Sequence, residues 1–299
     1  MAELPFDQRD GSIWYDGKLE PWADVRPHVL SHGLHYASAV FEGERVYEGE
    51  TFKLTEHTQR LHDSADLLGM TMPYSVEEID NACREVIASN GIVDGYLRPI
   101  AWRGSEMMGV SAQKNTIHLA IAVWEWPNYF SAEAMMKGLR LQLSTWKRPS
   151  PETIPCKSKA AGLYMICTLS KHQAEKDGFQ DALMLDHRGH VAEATGANVF
   201  FLKDGTLHSP IPDCFLDGIT RRTVIDLAGR RGIKVVERTI LPEEMPDFEE
   251  CFLTGTAVEV SPVSEIDGIK FTPGKVTETL MNDYANEVRP SRRGVAAAE

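Results

Sequence analysis

A mixed α/β (α+β) fold is predicted by two kinds of pattern in this sequence. Alternating, strand-like runs are closed by two-residue turns, and amphipathic runs are opened and closed by cap residues. No internal repeat or low-complexity segment interrupts them, so the 299 residues are read as two domains or one large one.

Taken in order, residues 1–11 form an arm. Ile13–Glu20 is a hairpin with Asp16-Gly17 at its turn, and Val46–Leu54 repeats the signal around Glu48-Gly49. Thr55 caps a helix reaching Leu67 or Leu68, because Leu61, Ala65 and Leu68 share a face. Ser75 opens a second helix, Glu78 completes a capping box, and Asn90-Gly91 ends it. Tyr96–Arg103 and Thr116–Trp126 are strands, which makes residues 1–126 a β-rich domain with two helices. Pro127-Asn128 breaks the pattern, and 127–138 is a connector with a short helical piece at Ser131–Lys137.

The second domain, 139–288, opens with a strand at Leu139–Trp146. A helix over Lys159–Lys176 closes at Asp177-Gly178. Asp181–Asp186, Asn198–Lys203 and Thr206–His208 are short strands, punctuated by turns at Arg188-Gly189 and Asp204-Gly205. Thr220 caps a helix carrying Val224, Ile225, Leu227 and Ala228, which Gly232 ends. Ile233–Arg238, Cys251–Thr254, Val258–Val263 and Ile269–Phe271 are strands, and a last helix runs from Lys275 to Val288. Residues 289–299 are a disordered tail.

Charge and composition exclude several function classes. The net charge is −13, which argues against a nucleic-acid backbone or an anionic membrane as main partner but leaves room for a small anionic ligand. The five cysteines are odd in number and form no Cys-x-x-Cys pair, so they are reduced thiols of a cytoplasmic protein. The start, Met-Ala-Glu-Leu-Pro-Phe-Asp, lacks an apolar core and is no signal peptide. The longest apolar run, Ile117–Trp124, is too short to span a bilayer.

Four stretches are candidates for chemistry. In Glu152-Thr-Ile-Pro-Cys-Lys-Ser-Lys-Ala-Ala-Gly-Leu-Tyr164, Lys159 sits at a strand-to-helix junction beside small residues, the setting a covalently reacting lysine needs. Leu216-Asp-Gly-Ile-Thr-Arg-Arg-Thr leads into a helix N-terminus, where free N–H groups and the helix dipole suit a phosphate; capping alone would also explain Thr220. Cys251-Phe-Leu-Thr-Gly-Thr-Ala-Val-Glu-Val places a small-residue turn between strands, where a ligand can approach the backbone. Glu193, within Val191-Ala-Glu-Ala-Thr-Gly-Ala-Asn-Val-Phe, lies among small apolar residues, where an unpaired carboxylate is costly. His28, His32 and His35 fall at i, i+4 and i+7, yet Pro27, Gly33 and the lack of His-Glu-x-x-His favour structural histidines over a metal site. No Gly-x-Ser-x-Gly, P-loop or Gly-x-Gly-x-x-Gly pattern occurs.

Seven segments, in order, carry a resemblance. They are Ser31-His-Gly-Leu-His-Tyr-Ala-Ser-Ala-Val-Phe-Glu-Gly, His57-Thr-Gln-Arg-Leu-His-Asp-Ser, Tyr96-Leu-Arg-Pro, Met108-Gly-Val, Glu193-Ala-Thr-Gly-Ala-Asn-Val-Phe, Gly218-Ile-Thr-Arg and Thr254-Gly-Thr-Ala-Val-Glu-Val-Ser-Pro-Val. Together they resemble the class IV (fold-type IV) pyridoxal-phosphate aminotransferases, and within them the branched-chain amino acid aminotransferases. The resemblance runs from Ile13 to about Lys270.

That resemblance implies a smaller N-terminal domain, a larger C-terminal domain with a β-barrel-like core, and pyridoxal 5'-phosphate between them. It implies Lys159 as the Schiff-base lysine and proton shuttle, and Glu193 facing the pyridine nitrogen. Arg60, the Ile219 and Thr220 backbone and Thr256 would hold the phosphate, with Tyr164 near O3′. Tyr36, Phe41, Trp126, Tyr129 and Tyr164 would form apolar walls for the substrate. Tyr96 and Arg98 would receive a carboxylate, and period-two alternation does put those two on one face of a strand. The Thr256-Ala257 turn would meet the α-carboxylate. The loop Met108-Gly109-Val110 would reach over from a partner subunit, making a homodimer or higher oligomer. The implied reaction is ping-pong transfer between L-leucine, L-isoleucine or L-valine and 2-oxoglutarate. Phe41, Gly43, Arg45, Tyr96, Arg98 and that loop favour it over a D-amino acid or (R)-amine aminotransferase, or an aminodeoxychorismate lyase. Leu163 stands where relatives often have asparagine, and Asp217 where proline is common. A colourless ligand-binding protein of the same fold is the reading from another class, and intact Lys159, Glu193 and Arg60 argue against it.

Overall fold

The computed structural model describes residues 4–126 and 135–292. Tyr129, connector residues 127–134 and tail residues 293–299 lie outside the described residues. The chain packs as two units: Met1–Pro127 with Ser158–Gly162, and Asn128–Lys157 with Leu163–Glu299.

The first unit contains β1 (Ser12–Tyr15), β2 (Lys18–Pro21), α1 (His32–Tyr36), β3 (Ala39–Phe41), β4 (Glu44–Tyr47), β5 (Glu50–Thr51), α2 (Leu54–Leu67), α3 (Val76–Ser89), β6 (Gly95–Arg103) and β7 (Ile117–Glu125). Its sheet has the order β2-β1-β7-β6-β4-β5, with β3 also on β6, and every pairing is antiparallel. The two predicted turns are as expected. Asp16 and Gly17 take φ of 44° and 103°, and Glu48 and Gly49 take 54° and 83°, the left-handed pair that matches strand twist. Val46, Leu61, Ile79, Val86, Leu97, Leu119 and Ile121 are fully buried and form this unit's core.

Of the two capped helix starts predicted in this unit, one is as expected and one is not. Ser75 and Glu78 close the predicted capping box on α3. On α2, however, the helix begins at Leu54 after Lys53 in the left-handed region (φ 54°), without a side-chain cap. Thr55 is not the cap, because its hydroxyl donates instead to Asp80 at 2.6 Å. The histidine segment forms the short helix α1, ended by Ala37 at φ 53°.

Ser158–Gly162 joins the first unit through hydrogen bonds that position along the chain does not reveal. The Lys159 N–H donates to Ser64 Oγ at 2.9 Å, and Ser158 Oγ donates to the Ser64 carbonyl at 2.9 Å. The Phe41 N–H donates to the Lys159 carbonyl at 3.2 Å, and Val40 bridges Ala160. The helix predicted from Lys159 therefore starts later. A 3-10 turn spans Ala161–Tyr164, and α4 spans Met165–Lys176.

The second unit continues with β8 (Leu139–Leu143), β9 (Asp181–Leu185), β10 (Val191–Ala194), β11 (Asn198–Lys203), β12 (Thr206–Ser209), α5 (Ile219–Arg230), β13 (Val235–Glu237), β14 (Glu250–Gly255), β15 (Glu259–Ile266), β16 (Ile269–Lys270) and α6 (Lys275–Glu287). Six strands close on themselves in the order β8-β9-β10-β11-β14-β15 and back to β8. The two pairings of β8 are parallel and the other four antiparallel. Closure removes the exposed strand edges of an open sheet. Alternation sends Val199, Phe201, Cys251 and Leu253 into one cluster with Leu141, Leu183 and Val263. Between them Phe200 and Phe252 stack at 5.1 Å on the opposite face. Both faces of β11 and β14 are thus buried, which explains the unbroken apolar run Val199–Leu202.

Candidate active site

In the first unit the candidate residues gather around the Phe41 ring at the end of β3. Lys159 Nζ lies 5.0 Å from the ring centroid and Arg98 Cζ lies 4.9 Å from it. An amine and a guanidinium therefore share one aromatic wall. Lys159 is half-buried, whereas Lys157 two residues earlier is exposed. That difference favours Lys159 as the lysine that serves a bound group.

Tyr96 and Arg98 lie on one face of β6, as alternation requires. The Arg98 guanidinium sits 5.3 Å from the Tyr96 ring. Tyr96 in turn packs on Trp124 and Trp126, with centroids 5.2 and 5.3 Å away. Gly43 is needed here, since a Cβ would overlap the Tyr96 hydroxyl. Arg98 Nε is buried without a hydrogen-bond partner among the described residues. Arg98 as a whole is half-buried, with one Nη 3.5 Å from the Tyr96 hydroxyl, and an anionic partner would satisfy the enclosed Nε.

Arg60 is held from below. Its Nε and one Nη donate to Glu42 at 2.7 and 2.8 Å, and His57 Nδ1 donates to the same carboxylate at 2.7 Å. Burial pushes the Glu42 carboxyl up, but the charges of Arg60 and His57 and their hydrogen bonds outweigh it and hold it below the usual range. Glu42 and His57 were missed as site residues. His57 could have been found, because it precedes Arg60 by three on a helix within the quoted motif.

Tyr36 is exposed on α1, and its hydroxyl donates to the Met108 carbonyl at 3.2 Å. The Met108–Val110 loop ends in Val110, which is 85% exposed. The three histidines do not converge on one centre. His28 Nδ1 accepts from Leu30 N–H, His35 Nε2 faces the Val29 carbonyl, and His32 is buried between Ser38 and Gly109.

In the second unit Glu193 lies on β10, a strand too short to show alternation in the sequence. It pairs across the ladder with Asn198 on β11, whose Nδ2 donates to its Oε2 at 3.2 Å. Arg148 Nε stands 3.3 Å from Oε1, an ion pair off hydrogen-bond alignment. Burial works most strongly against the Arg148 charge, but Glu193 together with Cys167, Tyr164 and Cys156 more than offsets it and raises the guanidinium pKa. Asn198 also reaches the turn before α5, donating to Leu216 O at 3.0 Å and accepting from Gly218 N–H at 3.2 Å. One amide side chain therefore ties the carboxylate to the helix N-terminus.

Thr220 does not cap α5. Gly218 is the N-cap, without a side-chain cap bond, and Thr220 lies inside the helix with its hydroxyl 3.5 Å from that of Tyr284. The helix thus opens with uncapped N–H groups at Ile219 and Thr220, the donors a phosphate needs. Thr256 and Ala257 form the β14–β15 turn, half-buried and exposed respectively, and Tyr164 is half-buried just before α4. Arg148 and Asn198 were also missed. Asn198 lies five residues after Glu193 in the quoted motif, but nothing local marks Arg148.

The amino-transferase class IV family model matches residues 39–266. A probable branched-chain-amino-acid aminotransferase of Rickettsia conorii is 42% identical over 294 residues, 97% of this chain and 100% of that one. The branched-chain-amino-acid aminotransferase of Pseudomonas aeruginosa is 41% identical, covering 92% of each. Among solved structures, the T.th. branched-chain amino acid aminotransferase with pyridoxamine 5'-phosphate superposes with a TM-score of 0.92 at 38% identity, covering 96% of this chain and 97% of that one. The same protein has been solved complexed with N-(5'-phosphopyridoxyl)-L-glutamate.

Proposed function

The chain belongs to the class IV aminotransferase family, and from that premise we propose that it is a pyridoxal-phosphate-dependent branched-chain-amino-acid aminotransferase that uses 2-oxoglutarate as amino acceptor. The observation that carries the reading is the pair of cations on the Phe41 ring, Lys159 Nζ at 5.0 Å and Arg98 at 4.9 Å. A reacting amine and a carboxylate receptor then face the same apolar wall. Binding of phosphopyridoxyl-glutamate by the T.th. relative supports an acceptor with a second carboxylate.

The residues fit the cofactor. Lys159 would hold it, Glu193 would meet its pyridine nitrogen, and Arg60 with the Ile219 and Thr220 N–H groups and Thr256 would take its phosphate. Tyr164 would lie near O3′. When bound, pyridoxal phosphate supplies the carbonyl that exchanges with the amino group and the ring that accepts electrons from the substrate carbon.

This chain's own groups do the rest. Lys159 Nζ would carry the α-proton of the amino acid to the cofactor's C4′ and, in the second half-reaction, carry one from C4′ to the α-carbon of the keto acid. Glu193, paired with Arg148 at 3.3 Å and hydrogen-bonded by Asn198, would face the pyridine nitrogen and favour a proton there. The walls of Tyr36, Phe41 and Trp126, with Tyr129, receive the branched side chain. Arg98 and Tyr96 receive the second carboxylate of the acceptor, and the Ala257 turn receives the α-carboxylate. Donor and acceptor use one site in turn, a ping-pong scheme.

The exposed apolar tip at Val110 supports a homodimer in which Met108–Val110 completes a partner's site. Five free, buried cysteines support a reducing, cytoplasmic setting. No described helix is long and apolar enough to cross a membrane.

The test is the visible spectrum of the purified protein with L-leucine and no keto acid, with D-alanine and an (R)-amine in parallel. Conversion of the cofactor band by L-leucine is expected; conversion only by the D-amino acid or the amine overturns the substrate assignment. Lys159→Ala should lower turnover at least ~100-fold, as loss of a general base does, and should abolish the band of the lysine-bound cofactor. Near-normal activity in that variant would remove Lys159 from its role.

A further inference from the structure

We infer that His32 is a positioning residue for substrate selection, acting with Tyr36 as a clip that fixes the Met108-Gly109 tip of the β6–β7 loop. The inference rests on the assignment of Tyr36 and Met108–Val110 to the substrate's side-chain wall.

The loop's backbone carbonyls show how it is held. At its base, Gly104 O accepts from the His32 N–H at 2.9 Å and from Asn115 Nδ2 at 2.8 Å. Met107 O accepts from Asn115 Nδ2 at 3.0 Å, and Ala112 O from Arg103 Nη1 at 3.2 Å. The tip is held from α1. Met108 O accepts from the Tyr36 hydroxyl at 3.2 Å, and Gly109 O faces His32 Nε2 at 3.1 Å. Two side chains four residues apart, one helical turn, thus engage two consecutive carbonyls.

The His32 ring is built for this contact. It is 4% exposed, and it stacks on Tyr36 at 4.5 Å and 24° from parallel. A carbonyl oxygen only accepts, so Nε2 must carry a proton. Nδ1 lies 2.6 Å from Ser38 Oγ, and in the neutral ring it accepts from that hydroxyl. The Gly109 carbonyl therefore fixes the tautomer, and the Ser38 hydroxyl complements it by donating to Nδ1. The next residue along, Val110, points 85% of its surface outward. An apolar side chain at a loop tip selects among substrates only if its backbone is fixed before binding, because ordering it during binding weakens affinity.

The experiment uses the holoenzyme. Amide hydrogen exchange is followed in peptides covering residues 105–112, alongside kcat and KM for L-leucine. In His32→Ala, exchange at the tip should speed up and KM for leucine should rise about 3- to 10-fold, the weight of one hydrogen bond, with kcat within about twofold. His32→Gln, which keeps a donor near the Nε2 position, should restore both. Tyr36→Phe, which removes only the Met108 bond, should speed exchange and carries the test if His32→Ala fails to fold. Wild-type exchange in His32→Ala or Tyr36→Phe overturns the clip. Faster exchange with unchanged KM overturns the selection role. If Val110→Ala also leaves KM unchanged, the failure lies in assigning the loop to the substrate wall, and the clip itself stands.

Discussion

Glu44 lies on β4 with both carboxylate oxygens buried and without hydrogen-bond partners among the described residues. Burial first, and then the charge of Glu42, raises its pKa well above the ordinary value, with Arg60 opposing and Asp80 adding to the rise. The folded chain thus holds this proton where the unfolded chain releases it. The penalty is absent below the unfolded carboxylate range, about 4.3, and grows as pH rises above it. Glu44→Leu should raise the melting temperature more at pH 8 than at pH 5, by about 2 to 4 °C for each kcal/mol regained. An equal gain at both pH values would show that the carboxyl's charge is not the cause. Arg98 is tested by the charge of the ligand it would meet. Arg98→Ala should raise KM for 2-oxoglutarate about 10- to 100-fold, the range for a hydrogen bond to a charged group, and KM for leucine much less. Equal losses for both substrates would remove Arg98 from the second carboxylate. Arg98, placed beside Tyr96 on one strand face, was legible because alternation reaches that far. Glu42 and Arg148 were not, since each acts by orienting another side chain, and a supporting role leaves no pattern of its own in the sequence.

At the scale of elements, turn chemistry was the most legible layer. Asp16-Gly17 and Glu48-Gly49 take the left-handed conformations their residue types permit. Cap assignments fared worse at two of three helices. Ser75 caps α3, but the hydroxyls of Thr55 and Thr220 face partners on other helices, Asp80 on α3 and Tyr284 on α6. Tertiary hydrogen bonds win over the local cap, which a single-sequence pattern cannot show. The N-terminus of α5 depends instead on Gly218, where a Cβ would overlap Asn198 Oδ1. Gly218→Ala should displace Asn198 from both Glu193 and the turn. It should weaken pyridoxal phosphate binding about tenfold, within the range of overpacking in a fitted site. Fluorescence titration of the apoenzyme would measure this, and unchanged affinity would mean that the turn adjusts without loss.

For the whole molecule, the strands were readable from alternation, and the β-barrel-like core that the resemblance implied is present, though no residue pattern marks the barrel's closure. Its seams are the parallel pairings of β8 with β9 and β15, strands far apart in the chain. Long-range pairing of this kind has no local signature. The chain's charge of −13 contrasts with Lys159 and Arg98, two cations on one aromatic ring, a local positive spot that opposes the overall charge. Sedimentation should find a dimer at twice the chain mass of 33.4 kDa. Val110→Asp should shift it toward monomer and lower turnover with it; a monomer that retains full activity would show each site to be complete in one chain.

The five residues Ser158–Gly162 pack with a unit whose other members end some thirty positions earlier. On the ribosome, the N-terminal unit cannot finish when its own segment has emerged. The Ser64 hydroxyl and the β3 backbone wait for a stretch still being synthesised. A gene fragment cut at residue 126 would therefore encode a sheet lacking the strand-like ribbon that carries Lys159. Supplying a peptide spanning 158–162 in trans becomes the natural complement.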